Sequence, residues 1–175
     1  MFIAQKLRHQ NITAYVLYMF QVEDTIRAYQ LDADRIVADY LPRFGLDAQQ
    51  TQQACEWYQG LIRMMHEEGT TQQGHVQVVK NTITFMAERH EELLRDPKQT
   101  QYTAAYYKAL PTIVELRVHG AGKDKSEIEN CLDALYGATL LKMQGRELTV
   151  QTQAALQPVT NLLQLLAQQY ESDSE

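Results

Sequence analysis

Apolar residues recur along this chain at intervals of three and four, the spacing that gathers side chains on one face of an α-helix. Nowhere does the pattern settle into the strict alternation of a half-buried strand. The first long run spans Asn11 to Tyr29. Asn11 is placed to cap it, and Ile12, Tyr15, Val16, Met19, Phe20 and Ile26 fall on a single stripe. A short turn from Ile3 to Arg8 precedes it and is expected to tuck Phe2 and Leu7 underneath.

A brief helix from Asp32 to Leu41 comes next, closed by Pro42 and Gly45. The third pattern begins near Asp47 and stops at Gly69. It turns Ala54, Tyr58, Leu61, Ile62 and Met65 inward, with Trp57 and Met64 on a second face. Val76, Val79, Ile83, Met86, Leu93 and Leu94 mark a fourth helix over 71–95, which Asp96-Pro97 ends. The fifth covers 100–119. Ser126 and Glu129 form a capping box for the sixth, 127–144, and Thr149 opens the last, which runs to Tyr170. Pro111 and Pro158 lie inside the fifth and last helices and should kink them.

Short links between long helices make neighbours antiparallel. The pattern therefore predicts an all-α fold, a single-domain antiparallel bundle of about six to seven helices over residues 1–170. Residues 171–175, Glu-Ser-Asp-Ser-Glu, make an acidic tail expected to fray.

Charge and composition narrow the partners. Sixteen Lys+Arg against 22 Asp+Glu give 16 − 22 = −6, and the basic residues are scattered singly. A nucleic-acid partner is not expected, because displacing counterions from phosphates takes a basic face. No apolar run approaches the roughly 20 residues that span a bilayer, so no membrane partner is expected either. The opening MFIAQKLRHQN lacks the architecture of a signal peptide. Cys55 and Cys131 stand singly inside helical patterns, as suits reduced thiols in a cytoplasmic protein. Glutamine is abundant, with clusters at 49–53 and 151–157, and reads as a neutral helix former on exposed faces.

Candidate chemistry lies where polar residues interrupt apolar stripes. Glu23 sits near the centre of the first stripe with Asp24 at its rim, and Arg27 follows one turn on, placed to pair with Glu23. His90 lies between Met86 and Leu93, and Glu23 on a facing helix could supply the carboxylate a catalytic histidine needs. Tyr106 and Arg117 share the stripe Tyr102, Tyr106, Leu110, Ile113, Arg117. These residues admit two readings. Charges on apolar stripes can be paired inside the core, linking helices. Alternatively Glu23, Arg27, His90, Tyr106 and Arg117 converge on a cleft that binds a small ligand or acts as an enzyme.

Tyr18, Trp57 and Tyr107 project off the main stripes and are the candidate protein-contact surface. The histidines form no H-E-x-x-H and no Glu-x-x-His pair, and one i,i+4 pair that can chelate, Glu115 with His119, is weak evidence, so no metal is expected. Nucleophile-elbow and P-loop strings are missing, and Gly120-Ala-Gly122-Lys123 reads as a helix stop. The leading expectation is a non-catalytic intracellular interaction or oligomerisation module, without cofactor, acting on a protein partner or on copies of itself.

Four strings carry a resemblance: NITAYVLYMFQVEDTIR at 11–27, EWY at 56–58, AAYYKALPTIVELR at 104–117 and SEIENCLDALYG at 126–137. Together they resemble a family of small, uncharacterised all-helical proteins of anaerobic, Bacteroides-like bacteria, a domain of unknown function. The resemblance spans about residues 1–170. It implies an intracellular, single-domain protein and brings no activity with it. Its strings contain Glu23, Asp24, Arg27, Tyr106, Tyr107, Lys108, Glu115 and Arg117.

Overall fold

A computed structural model of the chain describes residues 2–119 and 123–172, and all regular structure among them is helical. The order is α1 (Phe2–Gln10), α2 (Ile12–Ala28), α3 (Ala33–Arg35), a π-turn (Ile36–Tyr40), a 3-10 turn (Leu41–Phe44), α4 (Ala48–Glu67), α5 (Gln77–Arg95), α6 (Thr100–His119), α7 (Glu127–Met143) and α8 (Val150–Ser172). That makes eight α-helices among the described residues, more than the six or seven that periodicity suggests. The extra one is at the N-terminus, where the expected turn is a full helix. The helix stop read at 120–122 lies outside the described residues. So do 173–175 of the acidic tail, whereas α8 continues to Ser172, two residues past its expected end.

α2 is the central helix. It packs against α1, α5, α7 and α8, which explains why it buries residues on two sides, from Val16 and Phe20 to Val22 and Glu23. Asn11 caps it by accepting the Ala14 N–H at 2.9 Å, satisfying one orphan donor of the first turn. Thr13 Oγ1 donates to the Leu163 carbonyl at 3.1 Å and fixes α2 against α8.

The closest helix pair is α6 with α8. The small Ala105 and Ala155 stand on the facing sides of this pair, and Thr112 Oγ1 donates to the Ala155 carbonyl at 3.0 Å. The two run in opposite directions, since Gln101 and Gln168 share one end of their common surface and Glu115 and Gln151 the other. Pro111 and Pro158 sit within these helices, and both helices continue through them.

Two stretches depart from the sequence reading. The brief helix expected over 32–41 is three kinds of turn in succession. In the π-turn the Leu41 N–H reaches the Ile36 carbonyl five residues back. Residues five apart on an α-helix point about 140° away from each other. The wider turn brings both Ile36 and Leu41 into the core. Pro42, lacking an N–H, then begins the tighter 3-10 turn, which Gly45 ends at φ 61.

The second departure is α5, which starts at Gln77 rather than 71. Residues 70–76 form a loop instead, held by side chains of α2.

Candidate functional site

Polar side chains gather at two places, near opposite ends of α5. At its N-terminal end Glu23 projects from α2 and is fully buried. Its Oε1 accepts the Val76 N–H at 2.8 Å, and its Oε2 lies 2.5 Å from His75 Nδ1. Val76 is the N-cap residue of α5 and offers no capping side chain. The carboxylate of Glu23 takes the N-cap residue's own N–H, the bond that the N3 acid of a capping box makes, at the end of the helix where negative charge is favoured. The His75 ring stacks on Phe20 with centroids 3.9 Å apart, and Tyr136 of α7 meets Phe20 edge-on at 5.4 Å.

Asp24 and Arg27 complete the junction. Asp24 accepts from Arg27 Nη1 at 2.9 Å and from the Tyr136 hydroxyl at 2.7 Å. Burial, followed by the Asp24 carboxylate, pushes the Tyr136 phenol upward, so it stays a donor. Arg27 Nη2 donates to the carbonyls of Thr70, at 3.0 Å, and of Gly74. Gly74 has φ 79, a left-handed conformation that glycine adopts without strain and that turns its carbonyl toward the guanidinium. The i,i+4 pair expected between Glu23 and Arg27 is thus replaced by a division of labour. Glu23 holds the donors of the loop and Arg27 its acceptors.

The second cluster lies 14 residues further along α5, about 21 Å away along the helix axis. His90 is buried, with Nδ1 2.7 Å from the Tyr102 hydroxyl and its ring edge-on to Tyr106 at 5.3 Å. The carboxylate it faces belongs to Glu127, the first residue of α7. Glu127 stands 3.6 Å from His90 Nε2 and 3.6 Å from Arg117 Nη1. Burial pulls the His90 pKa down, and Glu127 opposes this only in part. Burial and then Glu127 push Tyr106 up to about 12. A neutral imidazole beside a neutral phenol is a joint between α5, α6 and α7.

The six candidate polar residues therefore divide into two groups. Glu23, Asp24 and Arg27 meet at the loop; His90, Tyr106 and Arg117 meet at the start of α7. The carboxylate near His90 is Glu127, not Glu23, because α7 rather than α2 covers that end of α5. Sequence reasoning passes over His75 and Glu127. A helical assignment for 71–76 hides His75, and Glu127 reads as an ordinary acid in a first helical turn. The signal for His75 was Gly74 beside it.

Among the contact candidates, Tyr107 is 65% exposed, while Tyr18 and Trp57 are half-buried against the core. Among the described residues no three His, Cys, Asp or Glu side chains gather as metal ligands. No described helix is long and apolar enough to cross a membrane.

Over its whole length, residues 1–175, the chain matches the family described as Domain of unknown function (DUF4924). It belongs to DUF4924. The expectation of an uncharacterised helical family holds, and membership supplies no reaction. Neither the curated proteins nor the solved structures contain a match to this DUF4924 chain.

What the two clusters can do follows from their wiring. In the first, both carboxylate oxygens of Glu23 and both of Asp24 are occupied by protein donors. His75 also lines a groove between α5 and α7, where Ser126 accepts the Glu129 N–H as the cap of α7. The cluster ties α2 to the 70–76 loop, to the start of α5 and, through Tyr136, to α7.

Proposed function

We propose that this chain is a helix-mediated association module and that its partner is a second copy of itself. The observation that carries this reading is a row of exposed residues along the outside of α6. Ala104, Tyr107, Pro111, Val114 and Val118 all lie on the surface, with Tyr107, Val114 and Val118 at 65, 51 and 59% exposure. Their spacing is 3, 4, 3 and 4, the repeat that keeps a seam facing a partner helix. The opposite side of α6 buries Tyr102, Ala109 and Ile113, so the helix is apolar on two faces and only one is covered. A surface helix normally carries one apolar stripe, and a second invites another helix.

Charge selects the occupant. Lys108 and Glu115 flank the row on the same side, seven residues apart. An antiparallel second copy sets each Lys108 beside the partner's Glu115, and at the same register layers Tyr107 on Val118 and Pro111 on Val114. The antiparallel bundle, with bends at Pro111 and Pro158, is the frame this reading assumes. Cys55 and Cys131, both unpaired thiols, suit a reducing cytoplasm.

One helix row per partner buries less than the roughly 1,200–2,000 Å² of a standard stable interface, so the dimer should be of micromolar strength. Sedimentation velocity across a concentration series tests this. The wild type should move from monomer to dimer, and Val114→Lys should stay monomeric with its melting temperature unchanged. A wild type that stays monomeric at several hundred micromolar, or a dimer indifferent to Val114→Lys, would refute the assignment.

A further inference from the structure

The surface holds a second unfinished region, a cavity of about 310 Å³ between α1, α2, the 3-10 turn and α4. Its size falls at the lower end of the roughly 300–1,000 Å³ range of small-molecule sites. The walls are apolar: Phe2 and Ile3 from α1, Leu41 and Phe44 from the 3-10 turn, then Leu46 and Ala54. Phe2, Ile3 and Phe44 are among the large apolar side chains this chain leaves exposed, and all three converge here. The π-turn is what delivers Leu41 to the wall, and such turns recur at functional sites.

The polar groups of the cavity decide what it can hold. Tyr58 is 3% exposed, yet among the described residues its hydroxyl has no hydrogen-bond partner, and the same is true of Tyr18. Neither hydroxyl oxygen is sealed from the cavity, so a ligand acceptor seated there would take the place of water. Burial pushes the Tyr18 phenol up to about 12 and Tyr58 further still, so both are protonated donors. Gln50 also lines the cavity. Its Oε1 already accepts the Asp47 N–H, which leaves its Nε2 to donate. The lining contains no lysine or arginine that could neutralise an anion.

We propose that this cavity binds a small uncharged molecule, an apolar body with a carbonyl-type acceptor seated between Tyr18 and Tyr58. A hydrocarbon would leave the hydroxyls unmatched. A carboxylate would enter an apolar site with no cation to offset it. This site is separate from the α6 row, and neither depends on the other.

Three probes of similar size separate these cases: the ketone 4-phenylbutan-2-one, the hydrocarbon butylbenzene and the anion 3-phenylpropanoate. Each is titrated into methyl-labelled full-length protein, with shifts followed at Ile3, Leu41 and Leu46. The ketone should saturate these shifts and bind at least about fivefold more tightly than either relative, the ratio that one or two hydrogen bonds supply. Tyr58→Phe removes only an unmatched hydroxyl, so it should fold normally. It should weaken ketone binding about fivefold and leave the hydrocarbon within about twofold. Should Tyr58→Phe not fold, Tyr18→Phe is titrated instead, with the same selective loss expected. The proposal is overturned if no probe saturates these methyls, if ketone and hydrocarbon bind alike, if the anion binds best, or if the phenylalanine variant weakens both neutral probes equally.

Discussion

The α2–loop junction and the outer face of α6 are opposites in how completely they are satisfied. At the junction Glu23 has no exposed surface and both its oxygens are engaged, while Arg27 spans Asp24 and two loop carbonyls. On α6 Tyr107, Val114 and Val118 form an ordered row that the described residues leave more than half exposed. The charged cluster suggests chemistry in the sequence, and in the fold the partners of Glu23, Asp24 and Arg27 are groups of the same chain. Of the apolar row the sequence marks only Tyr107, off the main stripe, and the described fold leaves Val114 and Val118 exposed beside it. His90 lies between these extremes: packed and hydrogen-bonded to Tyr102, but 3.6 Å from the carboxylate it faces.

Substitutions can break this contrast, and the largest effect belongs to the junction. Glu23→Ala strands the Val76 N–H and the His75 ring, and should lower the unfolding free energy by about 3–5 kcal/mol in urea titrations. A loss below about 1 kcal/mol would mean that the carboxylate is not architectural. Arg27→Met comes next, at about 1.5–3 kcal/mol, since it leaves two carbonyls and Asp24 without their charged donor. It should also speed amide hydrogen exchange in residues 70–76, which would separate loop release from a general loss of stability.

His90 should respond to pH instead. Its pKa in the fold lies below the ordinary 6.5 because of burial, so the unfolded chain takes up the proton first. The stability it lends is complete above about pH 6.5 and is lost as pH falls through the lowered value. The urea midpoint of the wild type should therefore drop between neutral pH and pH 5 by more than that of His90→Gln. Equal slopes would remove His90 as the source. The smallest stability change belongs to α6. Val118→Lys should stay within about 0.5 kcal/mol of the wild type and yet weaken dimerisation at least about tenfold.

Much of this is legible in the sequence because it is local. Asn11, Asp47 and Ser126 cap the helices they precede, and the apolar stripe of α2 is the one that packs. Glu23 stands out as a charge on that stripe. Its partners do not, because His75 and Val76 lie more than fifty residues away and only the packing of α2 against α5 brings them near. The same distance misplaces the start of α5. Of residues 71–76 only Val76 extends the apolar stripe of α5, and the left-handed Gly74 together with the bonds to Glu23 and Arg27 keeps the segment a loop. On α6 two apolar rows share one helix, and spacing alone does not say which one the neighbours cover. Tyr107 is marked as outward by its position off the stripe, but Val114 and Val118 are settled only by the positions of α7 and α8.

The register of the α6 pairing offers the most direct test. Tyr107→Cys and Val118→Cys together, in a Cys55→Ser background, place thiols that face each other only across an antiparallel pair. Within one helix, or between equal positions of such a pair, they are about 16 Å apart, beyond the reach of a disulfide. Mild oxidation at high protein concentration, followed by peptide mass mapping, should give a covalent dimer joined 107 to 118, and each single variant should stay unlinked. Links of 107 to 107, or no covalent dimer from the double variant, would contradict the account.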